Sequence, residues 1–160
     1  MTLELLDVST SPGGRCMDGT MAGYYVREGS NPNLLVISLK GGGGCATKED
    51  CNARNGTALG SSDTWAPSML GTKFLSADCS TNPDFCGATA VFVPYCTSDT
   101  HRGTRTEPSD ESWGYYFDGH LNFVAIVEQL IADYEYDEVS QSQGCAWDNW
   151  NDLNAAGCSS

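Results

Sequence analysis

A three-layer α/β architecture around a mostly parallel sheet is the fold class that this 160-residue chain predicts. Three observations carry it. Residues 34–39 and 88–95 are short apolar runs rich in branched side chains, as in strands buried on both faces. Residues 118–134 repeat Leu121, Val124, Val127, Leu130 and Ile131 at helical spacing. The order strand, long crossover, strand, helix is that of a βα unit, whose strands run parallel.

Each element follows from local chemistry. Tyr24, Tyr25 and Val26 form a short strand, ended by Gly29, Asn31 and Pro32. Residues 34–39 run directly into Gly41, Gly42, Gly43 and Gly44. Four glycines let the backbone turn sharply with no side chains in the way. N–H groups freed from the ladder there can converge on a negative oxygen, so Gly42 and Gly43 are candidates for an oxyanion hole. A flexible surface loop, or a turn needing positive φ, reads the same glycines without chemistry. Residues 46–85 are loop-rich, with Gly, Ser, Asn and Pro. Residues 88–95 then suit a central strand, with Pro94 marking its end. After Val139 the chain is polar and aperiodic, and residues 140–160 are not expected to build a core element.

Composition limits the partners. An apolar fraction of 40% fits one globular domain with a real core. No segment approaches the ~18 apolar residues of a membrane span. A formal charge of −13, from 21 acids against 8 bases, repels nucleic acid and anionic membranes. Neither is expected as a partner, and a monomer is expected. The acids are scattered, which fits a solvated face. The first residues lack the basic start and apolar run of a secretion signal. Eight cysteines nonetheless suggest an oxidising compartment. A leader missing from this chain reconciles the two, and a cytosolic protein with reduced thiols stays open.

Cys45 and Cys51 lie six apart in a loop, within reach of a small disulfide ring, and Cys79 and Cys86 bracket another short loop. Zinc is the competing use. The spacings are not those of tight ligand pairs, and His101 and His120 are the only histidines, so no metal site is expected. Cys16, Cys96, Cys145 and Cys158 cannot be paired from sequence. Asn55-Gly56-Thr57 is an N-glycosylation sequon, which matters only in a eukaryotic secretory route and also arises by chance. His101, with Asp99 two residues before it, lies just past the third strand. Strand ends in such sheets face the ligand crevice, which makes both candidates for substrate binding. A surface histidine in a loop is the alternative. His120, in the first turn of the helix, reads as structural. Phosphate loops, dinucleotide fingerprints and HExxH helices are absent.

Six segments, in order, match motifs of one known family. Cys16-Met17-Asp18-Gly19-Thr20 followed by Gly23-Tyr24-Tyr25 is similar to CLDGSPPAYY. Residues 39–45 with Cys51 resemble LEGGGWC…C. Residues 57–62 with Trp65 look like TxLGSSxxW. Asn82-Pro83-Asp84-Phe85 and residues 91–96 are similar to NPDF…VFVPYC. Residues 95–103 resemble YCSSDVWSG, and Phe117-Asp118-Gly119 with Phe123 and Ala125 resembles FRGxxxxxA. Together, over residues 3–139, they resemble the pectin acetylesterase and Notum-type carboxylesterase family of α/β-hydrolases.

The resemblance implies a partial α/β-hydrolase-like fold with disulfide-braced loops. It implies hydrolysis of a carboxylic ester by a serine nucleophile backed by His and Asp. The oxyanion would rest on Gly42 and Gly43, without metal or organic cofactor. Acetylated polysaccharide or a lipidated protein would be the substrate, and the intact family member would be secreted or in the cell wall. Departures accompany it. Lys40 and Gly44 stand where the family has Glu and Trp, and Asp118 replaces the basic residue of FRG. The nucleophile elbow GCSAGG has no full counterpart. Ser142, in Ser140-Gln141-Ser142-Gln143-Gly144, and Ser159, in Gly157-Cys158-Ser159-Ser160, are the candidate nucleophiles. Residues 1–139 therefore read as the N-terminal part of a family domain. Residues 140–160 read as a divergent, poorly ordered tail, of the kind that truncation, a retained intron or a frameshift produces. A truncated, inactive esterase is the expected function. A non-catalytic, disulfide-braced binding module and a gene fragment without function remain as alternatives.

Overall fold

The computed structural model describes residues 1–9 and 13–134. Its elements are β1 (Thr2–Leu5), β2 (Gly23–Arg27), β3 (Leu35–Leu39), α1 (Lys48–Arg54), β4 (Thr89–Val93) and α2 (Gly119–Tyr134). Two single 3₁₀ turns, Lys73–Leu75 and Asp110–Ser112, interrupt the loops. The four strands form one sheet in the order β1-β2-β4-β3.

β3 and β4 are parallel neighbours, with Val36 opposite Ala90 and Leu39 opposite Val93. The backbone N–H of Lys40 donates to the Val93 carbonyl at 2.9 Å, which carries this pairing one residue past β3. The other two pairings are antiparallel, β1 with β2 and β2 with β4. The expectation of a mostly parallel sheet is therefore corrected to a mixed sheet. Its cause lies at the N-terminus. Thr2-Leu3-Glu4-Leu5 places a charge inside a short, largely exposed edge strand, so it lacks the apolar run that marks a buried one. The chain returns from β1 to β2 through residues 6–22, and β2 and β4 are not consecutive in the chain, so neither antiparallel pairing belongs to a βα crossover unit.

Register puts Tyr24 and Val26 of β2, Leu35, Ile37 and Leu39 of β3, and Val91 and Val93 of β4 on one face. α2 covers that face with Ala125, Ile126 and Leu130. Ile126, Leu130 and Val91 are fully buried. Each such side chain contributes about 1.5–3 kcal/mol on leaving water, so this layer is the main apolar driving force of the described fold. The opposite face carries the Tyr25–Phe92 ring contact. A loop, not a second helical layer, lies along its β1–β2 side. The Tyr25 hydroxyl donates to the Ala66 carbonyl at 2.8 Å, and the Leu3 N–H donates to the Pro67 carbonyl at 3.0 Å.

Three disulfides brace the loops: Cys45–Cys51, Cys79–Cys86 and Cys16–Cys96. The third spans 80 residues and ties the segment before β2 to the end of β4. Beside it the Met17 N–H donates to the Cys96 carbonyl at 2.8 Å. The carboxyl ends of β3 and β4, where a ligand crevice is expected in such sheets, are thus pinned from both sides.

Candidate active site

The glycine run leaves the carboxyl end of β3 as an exposed loop whose carbonyls are tied back. Arg54, the last residue of α1, donates from Nη1 to the Gly42 carbonyl at 2.9 Å and to the Gly43 carbonyl at 3.1 Å. The Tyr95 hydroxyl donates to the Gly43 carbonyl at 2.8 Å and accepts from the Thr100 N–H at 2.5 Å. His101 donates from Nε2 to the Lys40 carbonyl at 3.0 Å, with its ring centroid 4.7 Å from that of Tyr95. In a planar trans peptide the carbonyl and the following N–H point in opposite directions. Holding the carbonyls of Gly42 and Gly43 on the Arg54–Tyr95 side therefore turns the amides of Gly43 and Gly44 the other way. Among the described residues, the amides of Gly41, Gly42, Gly43 and Gly44 have no hydrogen-bond acceptor.

Two of the four positions require glycine. A Cβ on Gly42 would lie 2.7 Å from Leu59 Cδ2 and 2.8 Å from Tyr95 Cδ1. Gly43 has φ +67°, which a side chain disfavours. The loop then closes on the Cys45–Cys51 ring, and the Cys45 N–H donates to the Ser98 carbonyl at 2.9 Å. α1 starts inside this ring. Thr47 caps it by accepting from the Asp50 N–H, and Glu49 and Asp50 occupy its first turn, where acids suit the helix dipole. One short helix thus delivers both Cys51 and Arg54 to the glycine loop. Burial pushes the Tyr95 phenol up to about 12, while the Thr100 N–H pulls the other way. The phenol stays protonated near neutral pH and remains a donor to Gly43.

The segment after β4 is held by Asp99. Its Oδ1 accepts from the Thr97 hydroxyl at 2.6 Å and the His101 N–H at 3.0 Å. Its Oδ2 accepts from the Gly103 N–H at 3.2 Å and from the Gly119 N–H, at the start of α2, at 2.7 Å. Ser98, Thr100 and His101 all take positive φ in this segment. Four donors on one carboxylate hold them there, and backbone strain of this kind gathers at functional sites. An open cleft of about 270 Å³ runs alongside, lined by Cys45, Ser98, Asp99, Arg105, Trp113 and Phe117 among others.

Asp118 lies behind that carboxylate and is 1% exposed, with no hydrogen-bond partner on either carboxyl oxygen. Burial pushes its carboxyl up to about 7, and the Asp99 charge adds to the rise. The backbone N–H groups of Asp118 and Arg15 and the Arg15 charge pull the other way. Here the departure from the basic residue of the related motif has a visible cost, because a second acid is buried beside the first.

The structure brings Gly42, Gly43 and His101 together on one loop assembly and puts Asp99 beneath it as the fastener of the neighbouring turn. His120 is exposed on α2, with its backbone N–H donating to the Gly103 carbonyl. Ser142 and Ser159, the candidate nucleophiles, lie outside the described residues. Among the described residues no serine hydroxyl hydrogen-bonds a histidine ring, and no group of three or more His, Cys, Asp or Glu side chains could hold a metal ion. Sequence reasoning missed Arg54, Tyr95 and Gly44. A readable signal existed for the first: Thr47-Lys48-Glu49-Asp50 is a cap followed by two acids, and a helix begun there carries Arg54 in its second turn.

Comparison with known proteins identifies the family. The family model described as Pectinacetylesterase matches residues 1–142. The palmitoleoyl-protein carboxylesterase notum1' of Xenopus laevis is 37% identical over 118 residues, 72% of this chain and 24% of that protein. The inactive palmitoleoyl-protein carboxylesterase notum1b of Danio rerio is 41% identical over 106 residues, 65% of this chain and 74% of that protein. Among solved structures, the Wnt deacylase Notum from Drosophila superposes with a TM-score of 0.75 at 30% identity, covering 83% of this chain and 38% of that one. The chain thus spans about a quarter of the Xenopus relative's length. The structural likeness places it in the α/β class.

Proposed function

The chain belongs to the pectinacetylesterase family, and from that premise we propose that its glycine loop is the oxyanion-binding part of a carboxylic ester hydrolase site. The observation that carries this reading is the clamp on the carbonyls of Gly42 and Gly43, which leaves the amides of Gly43 and Gly44 free on the opposite side. In ester hydrolysis a nucleophilic oxygen adds to the carbonyl carbon, and the carbonyl oxygen becomes an anion. Fixed amides aimed at that oxygen lower the barrier without reorganising, and losing one such donor costs on the order of 3 kcal/mol in known enzymes. Gly42 and Gly43 were the expected donors; the clamp supports Gly43 and adds Gly44, whereas it does not orient the Gly42 amide. Hydrolysis by a serine route uses no metal or organic cofactor.

The substrate class we propose is an acetylated polysaccharide or another esterified polymer reached in an oxidising, extracellular setting, which three disulfides suit. Asp99, which lines the cleft, and His101, which holds the Lys40 carbonyl at the start of the glycine loop, then serve substrate binding. Residues 1–139 form the family unit and residues 140–160 a divergent tail. On this reading the 160 residues by themselves hydrolyse esters negligibly, because among the described residues no serine hydroxyl is paired with a histidine, and an oxyanion loop without such a pair has little to act on.

A second reading is favoured by a specific likeness. The Danio rerio relative that this chain covers to 74% is described as inactive. A non-catalytic binding module would keep the same cleft without turnover. Amide NMR during titration with a small phosphonate, a mimic of the tetrahedral intermediate, tests the oxyanion loop directly. The proposal expects the Gly43 and Gly44 resonances to move while Gly56, outside the loop, stays fixed. Unmoved Gly43 and Gly44 resonances at saturating phosphonate would contradict it.

A further inference from the structure

We infer that Asn55 is an N-glycan acceptor, and that its glycan stands on the carbonyl side of the glycine loop, behind the free amides and not over them. The sequon Asn55-Gly56-Thr57 falls where a folded protein best tolerates a bulky sugar. Asn55 is the C-cap of α1. Its backbone N–H donates to the Cys51 carbonyl at 3.0 Å, and its exposed side-chain amide makes no hydrogen bond with the described residues. Gly56 follows at φ +76°, and a Cβ built there would meet nothing within 4 Å. The Thr57 hydroxyl donates to the Arg54 carbonyl at 2.7 Å and accepts from the Leu59 N–H at 3.2 Å. The sequon is therefore a fixed, open turn whose acceptor nitrogen points into solvent with nothing to lose.

Position gives the glycan its place relative to the site. Asn55 directly follows Arg54, whose guanidinium holds the carbonyls of Gly42 and Gly43. The amides of Gly43 and Gly44 point away from that guanidinium. A sugar on Asn55 grows from the clamped side and leaves the amide side open to a ligand. It also covers the exposed end of the helix that carries Cys51. In the transfer, the Asn55 side-chain nitrogen gives up one proton and bonds to the anomeric carbon of a lipid-diphosphate-linked oligosaccharide. The bond from that carbon to the diphosphate oxygen breaks, and the lipid diphosphate leaves with the electron pair.

The inference rests on passage through a eukaryotic secretory route and not on ester hydrolysis, and the test separates the two. The full chain is placed behind a cleavable leader and secreted from cultured animal cells together with a second sequon-bearing protein. Both are examined by peptide mass spectrometry before and after peptide N-glycosidase in isotope-labelled water. The expected result is loss of a whole oligosaccharide mass and a labelled aspartate at position 55. Asn55→Gln and Thr57→Ala should abolish both signals, while Thr57→Ser should keep them. Phosphonate shifts at Gly43 and Gly44 should be the same with and without the sugar. An unmodified Asn55 peptide from wild-type protein, secreted or retained, beside a fully glycosylated second protein would overturn the inference. Loss of the phosphonate shifts only in the glycosylated form would overturn the placement.

Discussion

Asp118 is the residue whose chemistry departs furthest from its surroundings, and it sets a pH dependence. Its carboxyl lies at about 7 in the fold against 3.8 when unperturbed. Between those values the folded protein holds a proton that the unfolded chain has released, so stability falls as pH rises through this window. The full stability is present below about 4, and the loss is complete above about 7. Each unit of such a shift corresponds to about 1.4 kcal/mol. Asp118→Asn removes the charge and keeps the shape. Denaturant titrations should find the variant more stable than the parent at pH 8 and nearly equal at pH 4. Parallel stability curves for the two proteins across that range would contradict this. Tyr95 offers a second test. Tyr95→Phe strips the Gly43 carbonyl of one of its two donors and the half-buried Thr100 N–H of its acceptor. Loss of a bond to an otherwise unsatisfied buried group costs about 1–3 kcal/mol, which a shift in denaturation midpoint would register. In sequence Tyr95 reads as one letter of a strand, and Asp118 as a departure from the basic residue of FRG; the burial of neither was legible, because which side chain ends up sealed from water depends on contacts distant in the chain.

At the scale of elements, local physics was legible and assembly less so. The runs at 34–39 and 88–95 become β3 and β4, parallel neighbours with a helix on one face, but only β4 is buried as its apolar run leads one to expect: β3 lies at the sheet edge and is half-buried along its whole length. The helix expected over 118–134 is α2, Gly119–Tyr134. β1 and α1 escaped notice for opposite reasons. β1 is an edge strand with too little apolar character, and α1 is a seven-residue helix held by a cap and a disulfide more than by any hydrophobic stripe. The disulfides separate into two kinds. In the chain-entropy account, the small Cys45–Cys51 ring contributes roughly 2 kcal/mol and the Cys16–Cys96 link, spanning 80 residues, roughly 4–5 kcal/mol. Cys16→Ser with Cys96→Ser should therefore lower the melting temperature more than Cys45→Ser with Cys51→Ser. The smaller ring's loss should instead loosen α1 and its Arg54 clamp, seen as faster amide exchange in residues 48–54. Equal melting temperatures for the two double variants would contradict that division.

For the whole molecule, the family and the place of the glycine loop after β3 could be read from ordered short motifs, since these fix backbone positions that glycine, proline and cysteine supply best. The parallel direction of β3 and β4 could be read, but the two antiparallel pairings could not, because each joins β2 to a strand across a long stretch with no continuous periodic pattern. The clamp that orients the loop was likewise hidden, as it joins Arg54 and Tyr95 across 41 positions of sequence. The central proposal is that the glycine loop is the anion-receiving part of an esterase site, with no nucleophile positioned beside it among the described residues. Turnover of p-nitrophenyl acetate by the purified chain, with Ser142→Ala and Ser159→Ala as controls, tests it most directly. The account predicts hydrolysis no faster than the buffer blank for all three proteins. Robust turnover by the parent, abolished by either serine change, would contradict it.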